Sequence, residues 1–342
     1  MTKVPNVAVV ILNWNGQSFL EKFLPSVVAS TYPGLEIVVG DNASTDSSIE
    51  FLKSNYPGVR VLQNDENYGF AGGYNRILEH LDNEYFILLN SDVEVSAGWI
   101  EPVIHLMESD MEIAVAQPKI LSYSQRDHFE YAGAAGGYLD SLGYPFCRGR
   151  IFDTLEADHG QYDDQSEIFW ASGAALFIKR KHWIEIGGLD PDFFAHMEEI
   201  DLCWRLKNRG YRIVYCPKSK VYHVGGGTLN AESPFKTYLN FRNNLVLIQK
   251  NLSSGRASLV IFIRLWLDLI ALIKFLFAGK PGNALAISKA HFSFFGRLFR
   301  NIKKSRDIDV SNFNSSGLYR GSIVWQYFIR KRKLFSSLKK TI

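Results

Sequence analysis

The sequence predicts an α/β fold, a mostly parallel mixed sheet with helices on both faces, followed by a helical region of different character. Three observations predict it. Short apolar, β-branched runs alternate with helical patterns through the first half, as expected for strands joined by crossover helices. Two of those runs end near a carboxylate, Asp41 and Asp92, at the strand end where open sheets place ligand chemistry. Beyond about residue 251 the alternation gives way to an apolar stretch and then a basic tail.

Val7–Leu12 reads as the first strand, and Gln17–Ser30 carries Phe19, Leu20, Phe23, Leu24, Val27 and Val28 at helical spacing. Leu35–Val39 is the second strand. Ser47 and Glu50 have capping-box spacing, so a helix starts there. Val59–Leu62 is a strand, Gly73–Leu81 a helix and Tyr85–Leu89 a strand running into Asn90-Ser91-Asp92. A helix over about 97–108 precedes the strand Ile113–Gln117. Residues 122–165 are rich in Gly, Tyr and Asp with weak periodicity, which suggests long loops and short strands facing a substrate. Order returns with Phe169–Ile178. A helix from about Glu199 stops at Gly210, and the strand Tyr211–Tyr215 follows. The expected division is a catalytic domain over 1–250 and an appended region over 251–342.

At 342 residues, 46% apolar and 21% charged, the chain is long enough for a full core and ordinary for a globular protein. Its net charge of +3 hides an asymmetry: residues 297–342 hold twelve Lys/Arg against Asp307 and Asp309, so the tail carries +10 and the rest −7. Anionic partners are therefore expected for the tail alone, and no nucleic acid is expected as a partner. Cys147, Cys203 and Cys216 form no CxxC pair, which argues against a zinc site and a disulfide framework. The run Val7–Leu12 is too short for a signal peptide, and a cytoplasmic body is expected.

Hard oxygen ligands and one imidazole suit a divalent metal, Mn²⁺ or Mg²⁺, that handles a diphosphate. Asp92 and His223 are the candidates, with Asn90 ligating through water or bracing the loop. Asp41 can accept a hydrogen bond from a base or ribose, although Asp-Asn-Ala-Ser also initiates turns. The segment from Asn67 to Asn75, with Gly72 and Gly73, can open a helix toward phosphates. Glu198 and Glu199 open a helical pattern where the dipole favours carboxylates, and either can take a proton from an acceptor hydroxyl. Asp201 and Arg205 are spaced for an ion pair, which makes Asp201 the acid most easily explained as structural.

Together these segments, over roughly residues 6–250, resemble the family 2 glycosyltransferases, in particular the bacterial rhamnosyltransferase-like branch. Val9–Gly16, with Asn13 and Asn15, is similar to that family's opening strand and turn. Asp41–Asp46, with Asn42, resembles its nucleotide-recognition segment, and Asn67–Asn75 its glycine-rich helix start. Leu89–Asp92 stands where the family has Asp-x-Asp, with Asn90 in place of the first aspartate. Ala171–Ala174 and Gly187–Asp190 resemble the acceptor-side segments, and Phe193–Leu202 the Glu-Asp-x-Asp motif. Glu199 stands where the catalytic aspartate would be.

The resemblance implies a GT-A, Rossmann-like fold, a divalent metal and inversion at the anomeric carbon. It assigns a nucleotide-diphospho-sugar donor to Asn13, Asn15, Asp41, Asn42, Gly72, Gly73, Asn75, Asn90 and Ser91. The acceptor side falls to Trp170, Gly173 and Asp201, the metal to Asp92 and His223, and the base to Glu199, with Glu198 as its alternative. The acceptor would be a lipid-linked glycan of the cell envelope. Two rivals are a sugar nucleotidyltransferase, which needs an Arg-bearing glycine-rich loop where this chain has Asn13-Trp14-Asn15-Gly16, and a non-catalytic sugar-binding protein, which donor hydrolysis would eliminate.

Leu259–Ala278 holds fourteen Leu, Ile, Val or Phe among twenty residues, interrupted by Arg264, Asp268 and Lys274. Apolar gain and charge penalty nearly cancel for a membrane span, so none is compelled. The expectation is a helix lying on the inner face of the plasma membrane, with the tail on anionic lipid and 256–342 as the peripheral anchor. A helix packed on the catalytic domain or in a homodimer interface is the alternative, with Arg264 pairing to Asp268.

Overall fold

A computed structural model of the chain describes residues 4–225, 233–305 and 312–338. Gly226 and Gly227 of the glycine run after His223 lie outside the described residues. So do Asp307, Asp309, Lys339 and Lys340 of the tail. The elements run β1 (Val7–Asn13), α1 (Gln17–Val28), β2 (Leu35–Asp41), α2 (Ser48–Asn55), β3 (Arg60–Gln63), α3 (Gly69–Leu78), β4 (Tyr85–Asn90), β5 (Val93–Val95), α4 (Glu101–Ser109) and β6 (Ile113–Ser122). Next come β7 (Gly137–Asp140), β8 (Pro145–Cys147), β9 (Arg150–Ile151), β10 (Thr154–Leu155), β11 (Ser166–Glu167), β12 (Ala175–Lys179), α5 (Arg180–Ile186), α6 (Glu198–Asn208) and β13 (Arg212–His223). The chain closes with α7 (Pro234–Asn251), α8 (Ser254–Phe277), α9 (Pro281–Gly296), α10 (Leu298–Ser305) and β14 (Leu318–Tyr319).

The main sheet has the order β11-β13-β6-β12-β4-β1-β2-β3, with β5 on β13. Pairs β1–β2, β1–β4, β2–β3 and β6–β13 are parallel, while β12 runs antiparallel between β4 and β6. Strands β1 and β4 are buried on both faces, which is why they read as unbroken apolar runs. Two hydrophobic cores result, one per face.

Three local expectations change. Helix α3 starts at Gly69, four residues before Gly73. Ser47 makes no side-chain cap; Asp46 caps α2 instead, accepting from Ser48 N (3.1 Å) and Ser48 Oγ (2.6 Å) while its other oxygen takes Gln17 N. The strand expected at Tyr211–Tyr215 is part of one long strand, β13, which shifts register between Cys216 and Lys220 and continues to His223.

The insertion forms a second sheet, β10-β9-β8-β7-β14. Its last strand comes from the C-terminal region and pairs parallel to β7. Helices α7, α8 and α9 pack against one another, and α7 also meets α6. Arg264, buried in α8, donates to Asn244 Oδ1 and to the Leu142 carbonyl (3.2 Å), stacks on Tyr144 and lies 3.7 Å from Asp268, which pairs with His291 at 3.0 Å. The outer face of α8 is bare: Phe262, Trp266, Ile270 and Phe277 are 60%, 59%, 63% and 90% exposed. Among the described residues no helix is long and apolar enough to cross a membrane.

Candidate active site

Parallel register brings the carboxyl ends of β1, β2 and β4 side by side, with Asn13 opposite Asp41 and Leu12 opposite Asn90. At this edge Asn13 Nδ2 donates to Asp41 Oδ1 (3.0 Å) and Ser44 Oγ (3.1 Å), while Asp41 Oδ2 accepts from Ser44 N. Asp41 is buried and retains lone pairs, and Asn13 Oδ1 finds no partner. Ser91 faces the same corner: a Cβ placed on Gly16 would lie 2.5 Å from Asn13 Oδ1 and 3.7 Å from Ser91 Oγ.

Several residues assigned to the nucleotide hold the protein together instead. Asn15 accepts from Thr45 N (2.7 Å) and Asp46 N, clamping two loops. Asn42 donates to Asn67 Oδ1 and Gly69 O and accepts from Asn64 and Tyr68, so its amide is fully engaged. Asn75 makes a reciprocal pair with the Leu189 backbone at 2.7 and 2.9 Å. Gly73 is a packing glycine against Leu12 and Asn42, and Gly72 sits on Tyr68. The opening turn of α3 does not aim its donors outward: Phe70 N and Ala71 N both give to the Phe194 carbonyl (2.7 and 3.3 Å).

Asp92 and His223 meet because β5 pairs antiparallel with β13, placing Val93 opposite His223. His223 Nε2 lies 3.1 Å from Asp92 Oδ1 and 3.4 Å from Asn90 Nδ2. Its other nitrogen is 3.2 Å from Glu130 Oε2, close enough to pair charge but off the line of a hydrogen bond. Burial opposes a charged imidazole here, yet the Glu130 and Asp92 carboxylates outweigh it and hold His223 at about 10. For Asp92, burial pushes upward, and the His223 charge and hydrogen bond hold it below the usual carboxylate range. Glu130 was missed by sequence reasoning; it stands in the aperiodic insertion, and only the fold carries it to β13.

Glu198 and Glu199 begin α6 after a strained approach in which Phe194, His196 and Met197 all have positive φ (65°, 67° and 74°). Helix α7 braces this loop: Asn243 Nδ2 donates to the carbonyls of Phe193, Ala195 and His196, and Arg242 to those of Asp192 and Phe193. Among the described residues no side chain pairs with the two acids, and Oε2 of each lacks a partner. Burial pushes Glu199 to about 7, against the pull of backbone N–H groups at the helix start. Burial, then the neighbouring Glu199 charge, raises Glu198 well above its ordinary value. Glu198 is 4% exposed, whereas Glu199 is half-buried.

The acceptor-side assignments fare differently. Asp201 is fully buried and binds Arg205 (2.7 Å), Lys250 (2.8 Å) and Asn251 (2.9 Å), a structural role that its i,i+4 spacing to Arg205 anticipated. Trp170 is buried over Gly137 with its indole N–H on the Tyr138 carbonyl, so it presents no face to a sugar. Gly173 gives room to Phe70 at the start of α3.

Residues 8–159 match the family model "Glycosyl transferase family 2". The chain is 27% identical over 233 residues to N-acetylglucosaminyl-diphospho-decaprenol L-rhamnosyltransferase of Mycobacterium tuberculosis, covering 63% of this chain and 75% of that protein. Among solved structures, a mannosyltransferase, PcManGT, from Pyrobaculum calidifontis in complex with GDP-Man and Mn²⁺ superposes with a TM-score of 0.51 at 15% identity, over 89% of this chain and 85% of that one. GalNAc-T7 with UDP, GalNAc and Mn²⁺ superposes with a TM-score of 0.57 at 18% identity; 73% of this chain is covered, and it spans 48% of that chain. These likenesses carry the GT-A-like α/β fold. Residues 8–159 thus form a glycosyl transferase family 2 domain, and the relatives matched support reading the chain as a glycosyltransferase.

Proposed function

We propose that this enzyme transfers a sugar, with inversion, from a nucleotide-diphospho-sugar to a hydroxyl of a lipid-linked glycan acceptor in cell-envelope polysaccharide synthesis. The single observation that carries the reading is the contrast at Glu199: a half-buried carboxylate with an unpartnered oxygen, poised at about 7, on a loop held in shape by Asn243. A base of that strength takes a hydroxyl proton near neutral pH as the oxygen attacks the anomeric carbon. Glu198, deeper and held more firmly neutral, keeps a second charge away from it.

Asp41, Asn13, Asn90 and Ser91 at the strand edge are the proposed donor contacts. Among the described residues no group of three or more His, Cys, Asp or Glu side chains is arranged to hold a metal ion. Asp92 Oδ1 and His223 Nε2 nevertheless face each other at 3.1 Å, with Glu130 behind the ring as carboxylates stand behind metal-binding histidines. Two protein ligands suit a cation that takes its remaining ligands from phosphate and water. Bound there, Mn²⁺ or Mg²⁺ would supply charge neutralisation to the departing nucleoside diphosphate. The fold relatives solved with Mn²⁺ support that reading.

The bare face of α8, together with exposed Phe292 of α9 and Phe299 of α10 and the basic tail, supports peripheral attachment to an anionic membrane surface on the cytoplasmic side. A homodimer is the other way to cover it. Donor hydrolysis across UDP-, GDP- and dTDP-sugars with Mn²⁺ tests the activity: turnover of one donor that vanishes in Glu199→Gln is expected, and silence of the wild type with every donor would refute it.

A further inference from the structure

Buried cations in this protein are matched to oxygen acceptors. Lys119 meets Asp158 and Asp163, Lys250 meets Asp190 and Asp201, and Arg242 and Arg264 reach carbonyls or a side-chain amide. Arg150, on β9, departs from this pattern. It is 7% exposed, and among the described residues its Nη2 reaches only the Cys147 sulfur (3.6 Å) and its Nε has no acceptor. The guanidinium lies 4.2 Å from the ring centre of Tyr131, itself half exposed, so one face is stacked and the donor edges remain unspent.

Its neighbourhood is the ground between the two acid clusters. Glu130, next to Tyr131 in sequence, acts on the Arg150 charge, but its Oε2 already takes Ala132 N (2.6 Å) and faces His223. The Cys147 thiol that Arg150 touches feels both Glu130 and Glu199. A second cation, Lys236 in the first turn of α7, also feels Glu130 and has no ion pair among the described residues. An unpaired buried guanidinium is costly, and a bidentate fork with free N–H groups is the group best matched to phosphate oxygens.

We propose that Arg150, supported by Lys236, is a phosphate-binding site for a diphosphate lying between the Asp92–His223 edge and Glu199. This rests on the glycosyltransferase reading, in which two diphosphates are available: the leaving group of the donor, and one carried by a prenyl-linked acceptor. Calorimetric titration of the full chain with UDP, GDP and dTDP in Mg²⁺, and separately with farnesyl diphosphate, distinguishes them. Arg150→Met weakens the diphosphate it holds by about tenfold or more, Arg150→Lys by less, and Lys236→Met by a few-fold, as expected for lost charge-assisted bonds. Loss confined to a nucleotide assigns the site to the donor, and loss confined to farnesyl diphosphate assigns it to the acceptor. A folded Arg150→Met protein that binds every wild-type ligand undiminished overturns the inference alone. If that variant does not fold, wild-type affinities in both Arg150→Lys and Lys236→Met overturn it equally. A wild-type protein that binds none of the probes overturns both the inference and the reading beneath it.

Discussion

The molecule holds two clusters of acids that solve the same electrostatic problem in opposite ways. Around His223, two carboxylates face one imidazole, and the charges compensate at 3.1 and 3.2 Å. At the start of α6, two carboxyls sit together with no cation paired to them among the described residues, and burial raises both. The first arrangement favours ionised groups and suits binding of charge. The second keeps acids near neutrality and suits the movement of a proton. The difference lies in the partners: β13 delivers an imidazole to Asp92, whereas Arg205 and Lys250 are taken by Asp201 and Lys207 reaches Asn314.

The strongest way to break the contrast is to remove the compensated cluster's carboxylate. Asp92→Ala should lower turnover by orders of magnitude, since losing a diphosphate-bound cation removes several kcal/mol of transition-state stabilisation. Steady-state assays with and without EDTA check it, and undiminished wild-type turnover in EDTA would contradict a metal role. Glu199→Gln keeps shape but cannot take a proton, and a fall of ~10²–10⁴ in kcat with nucleotide affinity retained is expected. A dead Glu198→Gln beside an active Glu199→Gln would exchange the two assignments.

A third expectation concerns pH. Because Glu199 must be ionised to act and sits at about 7, kcat should fall below neutrality, approaching tenfold per pH unit. A flat profile from pH ~5.5 to ~8 would separate that group from the chemistry. The smallest effect is on stability. Both carboxyls titrate higher in the folded chain than the ordinary glutamate value of 4.5, so the folded state binds more protons between there and about 7. Stability therefore declines as pH rises through that window. Glu198→Gln should raise Tm by a few degrees at about pH 8 and by less at about pH 5 in thermal melts.

Much of this was legible in the sequence, for identifiable reasons. Strands β1 and β4 are buried runs, β2 is buried over its second half, Asp41 and Asp92 mark strand ends, and β-strand periodicity is local information. Residue type alone suggests joining Asp92 with His223; what brings them within 3.1 Å is β5, three residues that pair with a strand more than a hundred positions away. Asn42, Asn75 and the Gly72-Gly73 turn were misread because an amide that ties two loops and an amide that holds a ligand look alike in one dimension. Glu130 and Arg150 left no local trace. Arg150 and its partner Cys147 stand on strands of two and three residues, too short to show a period, and Glu130 meets His223 only across the fold.

Strand β14 has a practical consequence. The sequence invites cutting the chain after about residue 250, yet Leu318–Tyr319 extends the insertion sheet, Asp140 Oδ2 receives the Ile323 amide, and Phe335 wedges among Tyr138, Phe146 and Tyr162. The last stretch of the polypeptide is thus the closing stone of the wall that carries Arg150, not a detachable handle. Truncation to test membrane attachment would injure this wall as well, and loss of activity in such a fragment would say nothing about lipid. Charged substitutions on the bare outer face of α8, at Phe262, Trp266 or Ile270, interrogate the surface while leaving the masonry in place.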